Sequence, residues 1–283
     1  MTSRFLSGLL LFSLSCLAGA DERIFDVHVH VWNGEKSVTE YLAQVEAAGQ
    51  RVDGFGGIHM ARRGELQHTR AKNDELVTLS KRYPKLMPIA SVHPYDGEAA
   101  FAELKRLADS GVKAIKLHPH TQEFDAGDER MLALCKRAGD LGFVVLMDNA
   151  NILPGDNQKL FNLALKASKT RFVFTHLGAL EFRFWNILPL ARTARDLLED
   201  NFYFDISATV VLVADSPLEQ EFVWTLRNVG IDHLLLGSDF PQLSLKQAVD
   251  ALERLDLTEK EKRKIRWENA SRLFSLEGSQ GAK

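Results

Sequence analysis

The sequence predicts an α/β protein, a (β/α)8 barrel of the TIM type, and three observations predict it. From Arg23 onward, eight short apolar runs alternate with eight helical patterns across short breaks. Strict alternation of this kind calls for a parallel sheet covered by helices. Polar and titratable residues close the apolar runs, where a barrel places its chemistry. The turn after the first run, "HVWNGEKS", lacks the glycine fingerprint that a doubly wound open sheet would carry there.

The elements follow in order. The first strand, 23–31, falls on "IFDVHVHVW" (24–32), in which side chains alternate between faces. Alternation puts Asp26, His28 and His30 on one face and Val27, Val29 and Val31 on the other. A helix over 38–49 leads to strand 52–59, which closes in His59. Helix 71–82 leads to strand 86–93, which closes in His93. After helix 97–110, strand 112–118 turns Lys116 and His118 to one face. Helix 128–141 has helical apolar spacing and a glycine at its end, a good helix stop. Strand 143–148, "FVVLMD", closes in Asp148, and after helix 156–168 strand 171–176, "RFVFTH", closes in His176. Helix 187–199, strand 202–207 ending in Asp205 or Ser207, and helix 217–229 come next. Strand 233–238 brings Ser238 and Asp239, then helices over 244–255 and 258–275 finish the pattern. The strands are short and strongly apolar, as strands buried on both faces are.

Residues 1–20 differ in kind. One basic residue, the apolar "FLSGLLLFSLSCL" and then "AGA" before Asp21 have the layout of a secretory signal peptide. The expectation is therefore a leader at 1–20, a barrel domain over 21–283, and a mature chain that is periplasmic or secreted. The run is short for a bilayer span. "SLSC" lacks the leucine that a lipoprotein cysteine would have three places earlier. Without Cys16 only Cys135 remains, on an apolar helix face, which excludes a disulfide framework and offers no activated thiolate. A net charge of −3 with no basic stripe gives nucleic acid no electrostatic footing.

Seven of the nine histidines lie at or just past strand ends, all but His68 and His233. Imidazoles and carboxylates gathered at a barrel mouth suit a divalent ion such as zinc and metal-assisted hydrolysis. His28 and His30 share a strand, so both can reach one ion. Asp239 ends the last strand, which neighbours the first once the barrel closes. The competing reading of His28 and His30 is a polar strand end with satisfied hydrogen bonds. That of Asp239 is a helix cap.

"DVHVHVW", "GVKAIKLHPH", "FTHLG", "LLLGSDFP" and the late "ENASRLF" resemble the amidohydrolase superfamily over about residues 23–275. They most resemble its amidohydrolase-related branch, which includes metal-dependent hydrolases and the aminocarboxymuconate-semialdehyde decarboxylase type. The resemblance implies that His28, His30 and Asp239 are metal ligands around one divalent ion, most simply Zn2+. It also implies that Asp239 and His176 are the catalytic pair, His176 polarising substrate or orienting water. The family usually has a histidine at the end of strand 5; here Asp148 stands there, as a fourth ligand or as a sign of weakened metal binding. Lys116 is read as a substrate-side or bridging residue, or as a buried partner of Asp148 or Asp26. His118 is read as a substrate contact, and His59 and His93 as lining or structural residues. Arg62, Arg63 and Arg183, beside Phe182, Phe184 and Trp185, could receive an acidic, partly apolar substrate or form a solvated loop or subunit contact.

The expected function is hydrolysis of an amide, lactone or ester of a small molecule. Non-oxidative decarboxylation of a small carboxylic acid on the same site is the alternative, and a non-catalytic exported binding barrel is the other class. The expected partners are a small-molecule substrate and no nucleic acid; no membrane span is expected, and homo-oligomerisation is left open.

Overall fold

A computed structural model describes residues 23–152, 154–194 and 198–276. The expected leader at 1–20 lies outside the described residues. No helix among the described residues is long and apolar enough to cross a membrane.

Eight strands form one sheet in sequence order: β1 (Phe25–His30), β2 (Gly54–Ile58), β3 (Leu86–Ala90), β4 (Ala114–Leu117), β5 (Val144–Asp148), β6 (Arg171–Thr175), β7 (Phe202–Asp205) and β8 (Leu234–Leu235). Each neighbouring pair is parallel. The seam between last and first strand is closed by backbone bonds. Val27 N–H donates to Leu236 O at 3.0 Å, Asp239 N–H to His28 O at 2.9 Å, and His30 N–H to Phe240 O at 2.8 Å. This is the (β/α)8 barrel that the alternation predicts.

Around it run α1 (Glu35–Ala47), α2 (Leu66–Arg82), α3 (Glu98–Asp109), α4 (Glu129–Asp140), α5 (Asp156–Lys166), α6 (Leu188–Ala191), α7 (Thr209–Val213), α8 (Glu219–Val229), α9 (Leu245–Arg254), α10 (Glu259–Arg263) and α11 (Asn269–Phe274). The glycine expected to stop α4 does so: Gly142 takes φ +81°. Phe143 N–H then donates to Ala138 O at 3.0 Å and Gly142 N–H to Gly139 O at 2.9 Å, satisfying carbonyls the helix end would orphan.

Two apolar layers result. Residues such as Ile115, Met147 and Phe174 pack outward against the helices. Phe25, Val27, Ile58, Ile89, Val144, Leu146 and Val173 fill the lower barrel, closed below by Trp267, Leu273 and Phe274. The C-terminal segment is pinned there by Asn269 of "ENASRLF", whose amide donates to Ile231 O at 2.7 Å and Leu234 O at 2.8 Å.

Two expectations are corrected. In β1 the register runs Asp26↔Phe55 and then Val29↔Gly57, so Val27 and His28 together face Gly56. This β-bulge breaks the alternation of faces. Val27 packs inside the barrel, whereas Asp26 accepts from the Tyr41 hydroxyl of α1 at 2.9 Å. Asp26 therefore does not share the histidines' face. Gly56 is required at the bulge, since a Cβ there would sit 2.8 Å from Val27 O and 2.4 Å from Ile89 Cδ1.

Of the helix expected over 187–199, the described residues form only the four-residue α6, reached through a kinked 3-10 segment, His176–Ile187. Phe182 and Trp185 of that segment and Leu188 of α6 are buried at every third position, the period of a 3-10 helix rather than an α-helix.

Candidate active site

The mouth of the barrel lies at the carboxyl ends of the strands. There His28 and His30 from β1 meet Asp239, which follows β8. His30 Nε2 lies 3.1 Å from Asp239 Oδ1, and His28 Nε2 lies 3.4 Å from the same oxygen. The three donor atoms lie within 4.8 Å of one another.

The state of these rings follows from their surroundings. His28 Nδ1 faces Asp205 Oδ2 at 3.0 Å, so this nitrogen carries the proton and Nε2 presents its lone pair to the barrel mouth. Burial and the nearby Lys116 charge push the His28 pKa down. Burial likewise pushes His30 down to about 4. Two neutral imidazoles and a carboxylate form a donor set that suits a divalent ion. His30 Nδ1, which is buried, has no hydrogen-bond partner among the described residues, so this ring's polar engagement there is at Nε2. For Asp239, burial favours the neutral acid, but the His30 hydrogen bond and the His28, His176 and His30 rings outweigh it and hold the pKa down.

A second group, His28, His176 and Asp205, also clusters within 4.8 Å. Hydrogen bonds already fill it. Ser207 Oγ lies 3.1 Å from Nδ1 of both His28 and His176, and its hydroxyl donates to Asp205. Asp205 Oδ1 also accepts the backbone N–H of His176 at 3.0 Å and of Ser207 at 2.9 Å. This carboxylate supports the rings from behind. Asp205 and Ser207 had no assigned role in the sequence reading; their position at the end of "FYFDIS" was the available signal.

His176 Nδ1 lies 3.1 Å from Ser207 O. A carbonyl only accepts, so Nδ1 carries a proton and Nε2 faces the cavity, 3.4 Å from Asp148 Oδ1. For His176, burial lowers the pKa, but the Asp148 hydrogen bond and the Asp205, Asp148 and Asp239 charges outweigh it and the net shift is upward. Asp148 lies 3.6 Å from His118 Nε2. The structure thus brings Asp148 together with His176 and His118, and not with the His28–His30–Asp239 group. For Asp148, burial opposes ionisation, but the His176 hydrogen bond and the His118 and Lys116 charges win and hold it ionised.

Lys116 is fully buried below these groups and donates to Thr175 Oγ1 at 2.9 Å. Burial pushes its pKa down against the charges of Asp148, Asp205 and Asp239. The expected partner Asp26 is engaged elsewhere, by Ser238 N–H at 2.8 Å and His28 N–H at 3.1 Å as well as Tyr41. His118 is held by its own N–H, which donates to Gln122 Oε1 at 2.9 Å. His59 and His93 are structural: His59 Nε2 lies 2.5 Å from Asn73 Oδ1, and His93 Nε2 donates to Gln122 O at 2.7 Å.

Backbone strain gathers at this rim. His176 (φ +66°), Ala208 (φ +56°) and Asp239 (φ +64°) all occupy the left-handed region. Such conformations persist only where surrounding bonds over-determine them, and they concentrate at functional sites. Asp239 is fixed by the β1 seam, and His176 O accepts from Thr209 Oγ1 at 2.6 Å.

The loop arginines do not reach the cavity. Arg183 pairs with Glu221 at 2.5 Å, and Arg63 lies over the Tyr95 ring. Phe182 and Trp185 are core residues, the indole donating to Asn149 Oδ1 at 3.0 Å. The reading of these arginines as receptors for an acidic substrate is set aside.

The family model described as amidohydrolase matches residues 25–276. A γ-resorcylate decarboxylase from Polaromonas sp. (strain JS666 / ATCC BAA-500) is 25% identical over 119 residues. That match covers 38% of this chain and 34% of the relative, about a third of its length. A solved dihydroxybenzoic acid decarboxylase from Polaromonas sp. JS666, with bound manganese and an inhibitor, superposes with a TM-score of 0.64 at 16% identity. It covers 90% of this chain and 97% of that one. A Pseudomonas putida protein assigned as a 2-pyrone-4,6-dicarboxylic acid hydrolase superposes at 0.63 with 18% identity, covering 90% and 98%. These structural likenesses establish a shared fold.

Proposed function

The chain belongs to the amidohydrolase family, and on that premise we propose that it is a metal-dependent hydrolase of an amide, lactone or ester bond in a small molecule. The observation that carries this reading is the convergence of His28 Nε2, His30 Nε2 and Asp239 Oδ1 at the barrel mouth.

His28, His30 and Asp239 would hold the ion. Zinc is the ion proposed, and manganese, present in the Polaromonas neighbour, is an alternative for two imidazoles and a carboxylate. A divalent ion held there supplies Lewis-acid polarisation of an oxygen and lowers the pKa of water. Asp239, ionised and facing the same space, accepts a proton at a carboxylate oxygen. His176, with Nδ1 fixed on Ser207 and Nε2 on Asp148, holds a proton at Nε2 and delivers it to a leaving oxygen or nitrogen. Asp148 orients that ring and favours its protonated form. Asp205 fixes the tautomer of His28.

Decarboxylation is a second reading, favoured by the γ-resorcylate decarboxylase relative and the manganese-bound decarboxylase neighbour. His176 Nε2 would then protonate carbon as carbon dioxide leaves. A panel of small esters, lactones, amides and aryl acids separates the two. Hydrolysis of an ester or lactone releases about one proton per turnover in a pH-stat, hydrolysis of an amide releases an amine, and neither gives carbon dioxide. Carbon dioxide release from an acid, with no reaction of any neutral carbonyl compound, would establish decarboxylation instead. Export belongs to the same proposal, and a mature mass beginning at Asp21 would support it.

A further inference from the structure

The site described above leaves its upper wall unexplained. The cavity over the histidines has a volume of about 380 Å3. Its floor is polar, and its rim, which also carries exposed Thr121 and Gln242, holds four large apolar side chains. Trp32 follows β1, Met60 follows β2, Ile152 follows β5 and Leu212 lies on α7, and all four line the cavity. Trp32 is 40% exposed, Ile152 61% and Leu212 61%. Large apolar side chains left open around one cavity, contributed by three loops and a short helix, mark surface that a ligand covers. Trp32 is stacked on His30 with ring centroids 4.5 Å apart and an interplanar angle of 9°. That contact fixes the indole beside the proposed ion site, with the rest of its surface open.

Charge points the same way. No lysine or arginine among the described residues lines this cavity, while Asp148 and Asp239 both do. Beyond the ion and the His176 ring, which Asp148 already pairs, no cationic side chain among the described residues lines the cavity to compensate a second anionic group on a substrate. A carboxylate or phosphate remote from the reacting centre would lose its hydration without gaining a charge partner.

We infer that the collar of Trp32, Met60, Ile152 and Leu212 is the specificity subsite for the non-reacting part of the substrate, which is an uncharged aromatic ring or short alkyl chain. The inference deepens the proposed metal-dependent reading and rests on it, but it is indifferent to whether hydrolysis or decarboxylation follows. It separates this chain's substrates from dicarboxylates and phosphorylated compounds.

Hydroxamates with a constant metal-binding head and a varied tail test it. The series runs from acetohydroxamate through butyryl, hexanoyl and 3-phenylpropanoyl members to an analogue ending in a carboxylate. Binding to the metal-loaded protein is read by calorimetry. Dissociation constants are expected to fall roughly three- to fourfold per methylene added until the collar is filled. The carboxylate-ended analogue should bind at least about tenfold more weakly than the apolar tail of equal length. Leu212→Ser and Ile152→Ser, both at exposed positions, should flatten the dependence on tail length. Trp32→Ala should weaken the phenyl member most, with recovery in Trp32→Phe. Binding of acetohydroxamate with no dependence on tail, equal or tighter binding of the carboxylate-ended analogue, or an undiminished slope in the serine variants would overturn the collar alone. Failure of every member to bind would overturn the metal reading and this inference together.

Discussion

Asp205 Oδ2 lies 3.0 Å from His28 Nδ1, and both side chains are buried. The contact dictates which nitrogen of His28 faces the barrel mouth. A carboxylate behind a ligating imidazole raises its basicity and locks its orientation. Asp205→Asn keeps the volume but can present an amide donor to Nδ1, which would leave the lone pair on the wrong nitrogen. Affinity for a divalent ion should then fall about ten- to a hundredfold, measured by competition with a chromophoric chelator.

Asp148 and His176 give a pH prediction. The His176 pKa is raised on balance, the Asp148 hydrogen bond and the carboxylate charges overcoming burial. A raised pKa keeps the ring protonated at neutral pH and lets it lose the proton as pH rises. Activity that needs this proton therefore falls on the alkaline side. Asp148→Asn should lower kcat and move that limb to lower pH by roughly one unit or more. An unmoved limb would remove His176 as the proton donor.

Asp26 predicts a pH dependence of stability. Burial raises its carboxyl to about 6 against the bonds from Ser238, His28 and Tyr41. Its folded pKa lies above its unfolded one, so its favourable contribution is full below about 4 and is lost as pH rises through about 6. The shift corresponds to roughly 3 kcal/mol. Asp26→Asn preserves an acceptor for the two backbone N–H groups. Its unfolding free energy should lack the decline between pH 4 and pH 7 that the unmodified chain shows in urea titrations.

Much of this was legible because each rule was local. The runs ending in His118, Asp148 and His176 read as buried strands with polar carboxyl ends, and they lie in β4, β5 and β6 or just after them. The adjacency of Asp239 to β1 followed from closing a barrel. What stayed hidden depends on single backbone irregularities. Alternation gave Asp26 to the wrong face because the bulge opposite Gly56 adds one residue to β1. The pattern over 187–199 reads as one helix, yet among the described residues only Leu188–Ala191 forms one. Asp205 was visible as a strand end, but its service to two rings depends on β7 lying between β6 and β8. The arginines near Trp185 gave no sequence sign that Glu221 would hold one of them outside.

Asn269 offers a stability prediction apart from the site. Its amide satisfies Ile231 O and Leu234 O at the start of β8. Asn269→Ala leaves Leu234 O without that donor, while Ile231 O keeps the Leu234 N–H. A loss of about 1–3 kcal/mol, the cost of one group left unsatisfied, is expected in denaturant unfolding, with no change in substrate preference of the folded fraction.

Elemental analysis of the protein purified without chelator, paired with His28→Ala/His30→Ala, tests the central claim most directly. The account predicts about one equivalent of divalent ion in the unmodified chain, lost in the double variant while its circular dichroism stays intact. A double variant that retains the ion, or an unmodified chain that turns over substrate with no metal bound, would contradict it.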